Sequence, residues 1–211
     1  MAFRGKDDMR YLPLLTLLIA SCPTARLDAA SFDYYVFSLS WSPEYCREHP
    51  TDKTPECNAQ AKMNFVVHGL WPSNKNGSNP TGCSKVKFNA SAVPAHLEDI
   101  MPSSIFQHEW QTHGVCSGMT ESVYFQKIIS LFGSLAIPVK NTGQDQSISP
   151  VTLKQEFSQA NVGTTPQSFA IEDSGGDLTE VRSCWDRSFK PITCPAQGDT
   201  RNSSITIRAK P

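Results

Sequence analysis

The chain has 211 residues, 39% of them hydrophobic, enough for one domain with an ordinary core and too few for more than two. Its formal net charge is −1, and because residues 1–30 hold four basic residues against three acidic ones, the remainder carries −2. That balance excludes a protein that grips nucleic acid through a broad basic face; a polynucleotide would be met at a short local site with fast release.

The chain opens with Arg4, Lys6 and Arg10, an apolar run over residues 11–20 and then small residues, the order of a secretory signal. The run is too short to cross a bilayer. Export with cleavage near Ala30 is expected, giving a signal peptide over residues 1–30 and a single domain over residues 31–211, secreted or periplasmic. The alternative is a lipoprotein anchored through Cys22, because Ile19-Ala20-Ser21-Cys22 has the form of a lipobox. Six of the seven cysteines lie beyond this leader: Cys46, Cys57, Cys83, Cys116, Cys184 and Cys194. An even set with no CxxC spacing points to disulfides in an oxidising compartment, with the pairing left open.

Residues 32–41, rich in aromatic side chains, read as a buried strand ending in a Ser42-Pro43 turn. Residues 44–62 are polar, hold Pro50, Pro55 and two cysteines, and read as a loop pinned on itself. Residues 63–67 read as a short central strand that delivers His68 at its end. A loop over residues 73–87 follows, with a glycosylation sequon at Asn76; those at Asn76, Asn89 and Asn202 matter only in a eukaryotic secretory route. Residues 93–101 suggest a short helix with Leu97 and Met101 on one face, and Ser104 is a suitable N-cap for the next. Val123, Phe125, Ile128, Ile129, Leu131, Phe132 and Leu135 form an apolar helical face expected in the core. Ser149-Pro150 starts a helix running to about Ala160, with Asn161 and Gly163 as its stop. Strands are expected over residues 168–171, 178–185 and 205–208. Helices in the middle and strands at both ends make an α+β domain.

Two segments carry chemistry: His68-Gly69-Leu70-Trp71-Pro72, and the run from His108-Glu109-Trp110 through Thr112-His113-Gly114 to Cys116. They hold three of the five histidines, and a histidine pair is the simplest general acid and base near neutral pH. On a helix, Glu109 and His113 share a face, whereas His108 and His113 lie about 140° apart. The zinc-binding HExxH pattern needs histidines four apart, so this spacing is one residue too long and favours acid–base chemistry without a metal. A carboxylate beneath a histidine suits a base oriented by its neighbour. His68, His108, Glu109 and His113 are therefore the candidate catalytic residues. Trp110 reads as core, Gly69 and Gly114 as points of close packing, and His49 and His96 as surface or structural residues.

In order and spacing, the two segments resemble the active-site segments of the ribonuclease T2 family. The strand over residues 34–41, the Ser149-Pro150 helix start and Glu180-Val181-Arg182-Ser183-Cys184 are also similar to that family, and Leu39-Ser40-Trp41-Ser42-Pro43 leans towards its bacterial members. The resemblance implies an antiparallel sheet with packed helices and a monomer that needs no metal, no cofactor and no protein partner. It implies cleavage of single-stranded RNA by transesterification through a 2′,3′-cyclic phosphate. His113 would be the general base, His68 the general acid, and His108 a phosphate ligand; Glu109 would support the transition state or His113. Trp71 would belong to a base or phosphate pocket. The expected disulfides are Cys46 with Cys57, Cys83 with Cys116 (a pair the family also suggests) and Cys184 with Cys194.

One departure from the family pattern is Thr112, where most members carry a lysine. The cation would then be missing or supplied elsewhere, with Lys62, Lys75, Lys85 and Lys87 as candidates. Two other readings compete: a secreted protein of this fold that acts by binding or toxicity with vestigial catalysis, and a metal hydrolase using His108, His113 and Cys116. Activity on RNA in excess EDTA separates the three.

Overall fold

The computed structural model describes Met1 and residues 31–58, 64–195 and 199–209. The expected leader, its cleavage site, Cys22 and Lys62 lie outside the described residues. The elements are β1 (Tyr34–Trp41), α1 (Ser42–Glu48), β2 (Phe65–Ser73), α2 (Phe106–Thr112), α3 (Glu121–Ser134), β3 (Gln146–Ile148), α4 (Pro150–Ala160), β4 (Phe169–Ser174), β5 (Asp177–Trp185) and β6 (Ile205–Ile207). The strands form one sheet in the order β2-β1-β5-β6-β3, with β4 also paired to β5. The α+β class is as expected. The sheet is antiparallel except where β5 meets β6 in parallel at Asp177 and Thr206.

Strand alternation divides the sheet into two faces. Phe37, Leu39 and Trp41 of β1 enter the core with Val67 and Leu70 of β2, Ile171 of β4 and Val181 of β5. Trp110 of α2 and Tyr124, Phe125 and Ile128 of α3 pack into the same core. The opposite face carries Ser38 and Ser40 of β1, paired with Arg182 and Glu180 of β5, and Glu172 of β4 opposite Glu180. Polar side chains thus gather on one face of a sheet whose other face is dry.

Several local expectations are corrected. Strand β2 does not stop before His68: Ser38 pairs with Gly69 and Leu39 with Val67, which leaves His68 as the extra residue of a bulge. A bulge bends the strand and re-aims the side chain, so the histidine leaves the alternation in mid-strand. Ser42-Pro43 opens helix α1 instead of a turn, since proline suits the first helical positions. The helix expected over residues 93–101 is reduced to one 3₁₀ turn, Leu97–Asp99, although Leu97 and Met101 are buried. Ser104 does not cap α2; it lies inside a 3₁₀ turn, Ser103–Ile105, that leads into it. Val123 is 51% exposed, because it sits in the first turn of α3 off the buried stripe. Ser149 caps α4 as expected, accepting from the Thr152 backbone N–H.

All three disulfides join the expected partners: Cys46–Cys57, Cys83–Cys116 and Cys184–Cys194. The middle one ties the loop after β2 to the turn after α2, so both histidine segments are linked covalently.

Candidate active site

The site lies where the bulge in β2 faces the C-terminal end of α2. Helix α2 ends at Thr112, and His113 is its C-cap, with its backbone N–H bonded to the Glu109 carbonyl. Trp110 is 1% exposed and presses on Gly114, where an added Cβ would lie 2.3 Å from the indole ring. Glycine there leaves room for the Trp110 and Tyr124 rings. Gly69 is equally constrained: a Cβ would come within 2.1 Å of Glu109 Oε2 and 2.3 Å of Trp71 Nε1. Both glycines are therefore close-packing positions, and Gly69 makes room for the contact at the centre of the site.

That contact is Trp71 Nε1 donating to Glu109 Oε2 at 2.8 Å. Glu109 is buried, and its other oxygen lies 3.9 Å from His68 Nε2. Its hydrogen bond thus goes to the tryptophan, where the sequence suggested it would orient His113. The Trp71 ring lies between the two histidines, with centroids 5.1 Å from His68 and 5.6 Å from His113. His108 is exposed, 6.3 Å from the His113 ring. All five residues singled out for the site, His68, Trp71, His108, Glu109 and His113, come together.

The two central histidines have contrasting surroundings. His68 Nδ1 is 2.5 Å from Glu180 Oε1. Burial alone would lower the His68 pKa, but the Glu180 hydrogen bond and the charges of Glu180 and Glu109 outweigh it, and the net shift is upward from 6.5. The Nδ1 atom of His113 is buried with no hydrogen-bond partner among the described residues. Burial, followed by the charges of His108 and His68, brings the His113 pKa down to about 4. Burial also raises Glu109 to about 7. Glu180 is pulled down to about 2: burial opposes ionisation, but the His68 hydrogen bond and the Arg182 charge prevail.

Sequence reasoning missed Glu180 and Arg182 as site residues. The available signal was two opposite charges two positions apart, and so on one face, of the strand expected over residues 178–185. The spacing argument against a metal is also weaker than it looked. Because His113 lies past the end of α2, ideal helical spacing does not apply, and one ligand atom each from His108, Glu109 and His113 falls within 4.8 Å of the others. Cys116 is in a disulfide and cannot serve as a ligand. Lys75, Lys85 and Lys87 are exposed.

The model of the ribonuclease T2 family matches residues 32–194. A ribonuclease of Aeromonas hydrophila is 37% identical over 122 residues, 56% of this chain and 54% of that protein, so the chain spans about half the length of this relative. Ribonuclease S-1 of Pyrus pyrifolia is 28% identical over 220 residues, covering 90% of this chain and 92% of its own. Among solved structures, a variant of RNase MC1, a protein of bitter gourd seeds, was determined with 5′-UMP. It matches with a TM-score of 0.68 at 21% identity, over 83% of this chain and 98% of its own. Fold, site and relatives together define the class, a ribonuclease-type enzyme. The chain belongs to the ribonuclease T2 family.

Proposed function

We propose that the protein is an endoribonuclease that cuts single-stranded RNA by transesterification, with His113 as general base and His68 as general acid, and without a metal. The observation that carries this reading is the asymmetry across Trp71: one histidine is hydrogen-bonded to a carboxylate at Nδ1, and the other has no hydrogen-bond partner there among the described residues. A base that acts at mildly acidic pH must be neutral there, and an acid must hold its proton; these surroundings favour each state in turn. His113, with Nδ1 buried, has Nε2 to take the proton of the 2′-hydroxyl. The 2′-oxygen bonds to phosphorus as the bond to the 5′-oxygen breaks, and His68 gives its Nε2 proton to that leaving oxygen. The products are a 2′,3′-cyclic phosphate and a 5′-hydroxyl. The nucleophile belongs to the substrate, so the enzyme supplies alignment, two proton transfers and stabilisation of the phosphorane. Exposed His108 binds phosphate, and Glu109 fixes Trp71 and shares in charge stabilisation.

The RNA partner fits the local character of the site and the net charge of −1. The protein acts as a monomer, secreted or periplasmic, which agrees with three disulfides in a small domain. The test is RNA cleavage by His68→Ala and His113→Ala. Each should lose at least about a hundredfold in kcat with unchanged circular dichroism. Near-parental turnover in either variant would remove that histidine from its role.

A further inference from the structure

Behind His68 lies a chain of charged groups that the steps above do not use. Glu180 and Arg182 stand two residues apart on β5 and so share a face, with Glu172 of β4 opposite Glu180. Oε1 of Glu180 meets His68 Nδ1 at 2.5 Å. Oε2 accepts from the Ser38 hydroxyl at 2.9 Å and from Arg182 Nε at 2.8 Å, with Arg182 Nη2 at 2.7 Å. Arg182 also donates through Nη1 to Glu172 Oε1 at 2.6 Å. The Glu180 side chain is only 12% exposed. Both of its oxygens are engaged, so it cannot turn away from His68 without losing bonds to three side chains. Arg182 lies 5.3 Å from the Trp71 ring, but its charge is shared between two carboxylates and is not free to take the place of the lysine missing at Thr112.

We infer that Glu180 is the positioning residue of the general acid: it accepts the Nδ1 proton of His68, keeps Nε2 protonated and turned to the leaving 5′-oxygen, and is itself held by Ser38 and the Arg182–Glu172 pair. The inference rests on the assignment of His68 as the acid. An imidazole free at Nδ1 can rotate and exchange tautomers, whereas one bonded there to a fixed carboxylate presents a single nitrogen. The bond survives the reaction, because His68 still carries its Nδ1 proton after Nε2 has given up its own. The charged and titratable groups that face His68 are Glu180 and Arg182 from β5, Glu109 from α2, and, at longer range, Glu56 and His113. Among the described residues, only Glu180 is bonded to Nδ1.

The test compares two substrates built on the same nucleoside: a dinucleoside phosphate and the 3′-(4-nitrophenyl phosphate), whose leaving group departs without a proton. Glu180→Ala should lower kcat on the dinucleotide by about ten- to a hundredfold and on the nitrophenyl ester by less than about threefold. Glu180→Gln should recover part of the loss, since its amide oxygen can still accept from Nδ1, and both variants should move the alkaline limb of the pH profile downward. If Glu180→Ala were equally slow on both substrates, or unchanged on both, while His68→Ala was rescued by the nitrophenyl ester, the positioning role would be overturned and the acid assignment would stand. If His68→Ala was equally impaired on both substrates, the acid assignment itself would fall. Should Glu180→Ala not fold, Glu180→Gln decides alone: an unmoved alkaline limb with no leaving-group dependence overturns the inference.

Discussion

Glu109 is held in the site at the expense of stability, and Glu109→Gln exposes the trade. The carboxyl is 1% exposed, and burial carries its pKa to about 7 against 4.5 for a free glutamate; His68 and the Trp71 hydrogen bond pull the other way without cancelling it. A folded pKa above the unfolded one means that the folded state binds the proton more tightly. Stability from this group is therefore fully present below 4.5 and is lost as pH rises through 7. The shift corresponds to about 3 kcal/mol between the two limits. Glutamine keeps an oxygen for Trp71 Nε1 and cannot ionise, so the variant should escape that loss. Thermal melts of parent and variant should differ little in the shift's origin at pH 4.5. By pH 8 the variant should have gained about 3 kcal/mol relative to the parent, roughly 6–12 °C in Tm for a domain of this size. The same substitution should lower kcat by about tenfold or more below pH 7, because an amide N–H is a weaker donor than the neutral carboxyl O–H towards the negative charge that builds up at the reacting phosphate. A Tm difference that stays constant from pH 4.5 to 8, or a parent that gains on the variant, would refute the reasoning.

Two further outcomes follow from the site. The pH profile of kcat/KM should rise as His113 becomes neutral through about pH 4 and fall only above 6.5, where His68 loses its proton; a single limb, or an acid limb near 6.5, would contradict the two environments. Thr112→Lys should raise kcat by about tenfold, about 1.4 kcal/mol of barrier, with little change in KM, if no other cation serves the phosphorane. An unchanged kcat in that variant and in alanine variants of Lys62, Lys75, Lys85 and Lys87 would leave His108 as a sufficient cation.

The α+β class, the ends of α4 and the two outer cysteine pairs were legible because they depend on local signals: alternation, a Ser-Pro start and short disulfide loops; the Cys83–Cys116 pair, 33 positions apart, leaned on the family resemblance. The two histidine segments were legible from composition, and Trp110 was recognised as core. What was not legible depends on pairing between distant strands. The bulge at His68 arises from the register of β1 against β2, which no window around residue 68 contains. The bond from Glu180 spans 112 positions, and Glu109 turned out to hold Trp71 on another element instead of the histidine one helical turn away. Helix α1 was hidden because its proline was read as a turn, and the same residue is at home in a first helical turn.

The central claim is that two histidines, with no metal, pass protons while the RNA supplies its own nucleophile. The most direct measurement is digestion of an RNA strand by the purified protein in excess EDTA, with the termini identified by mass spectrometry beside a strand carrying one 2′-deoxy position. Histidine transesterification requires full activity in EDTA, 2′,3′-cyclic phosphate and 5′-hydroxyl ends, and no cut on the 3′ side of the deoxy nucleotide. Loss of activity in EDTA, restored by a divalent cation, would give the reaction instead to an ion held by His108, Glu109 and His113, and cutting beside the deoxy position would contradict the 2′-hydroxyl as nucleophile.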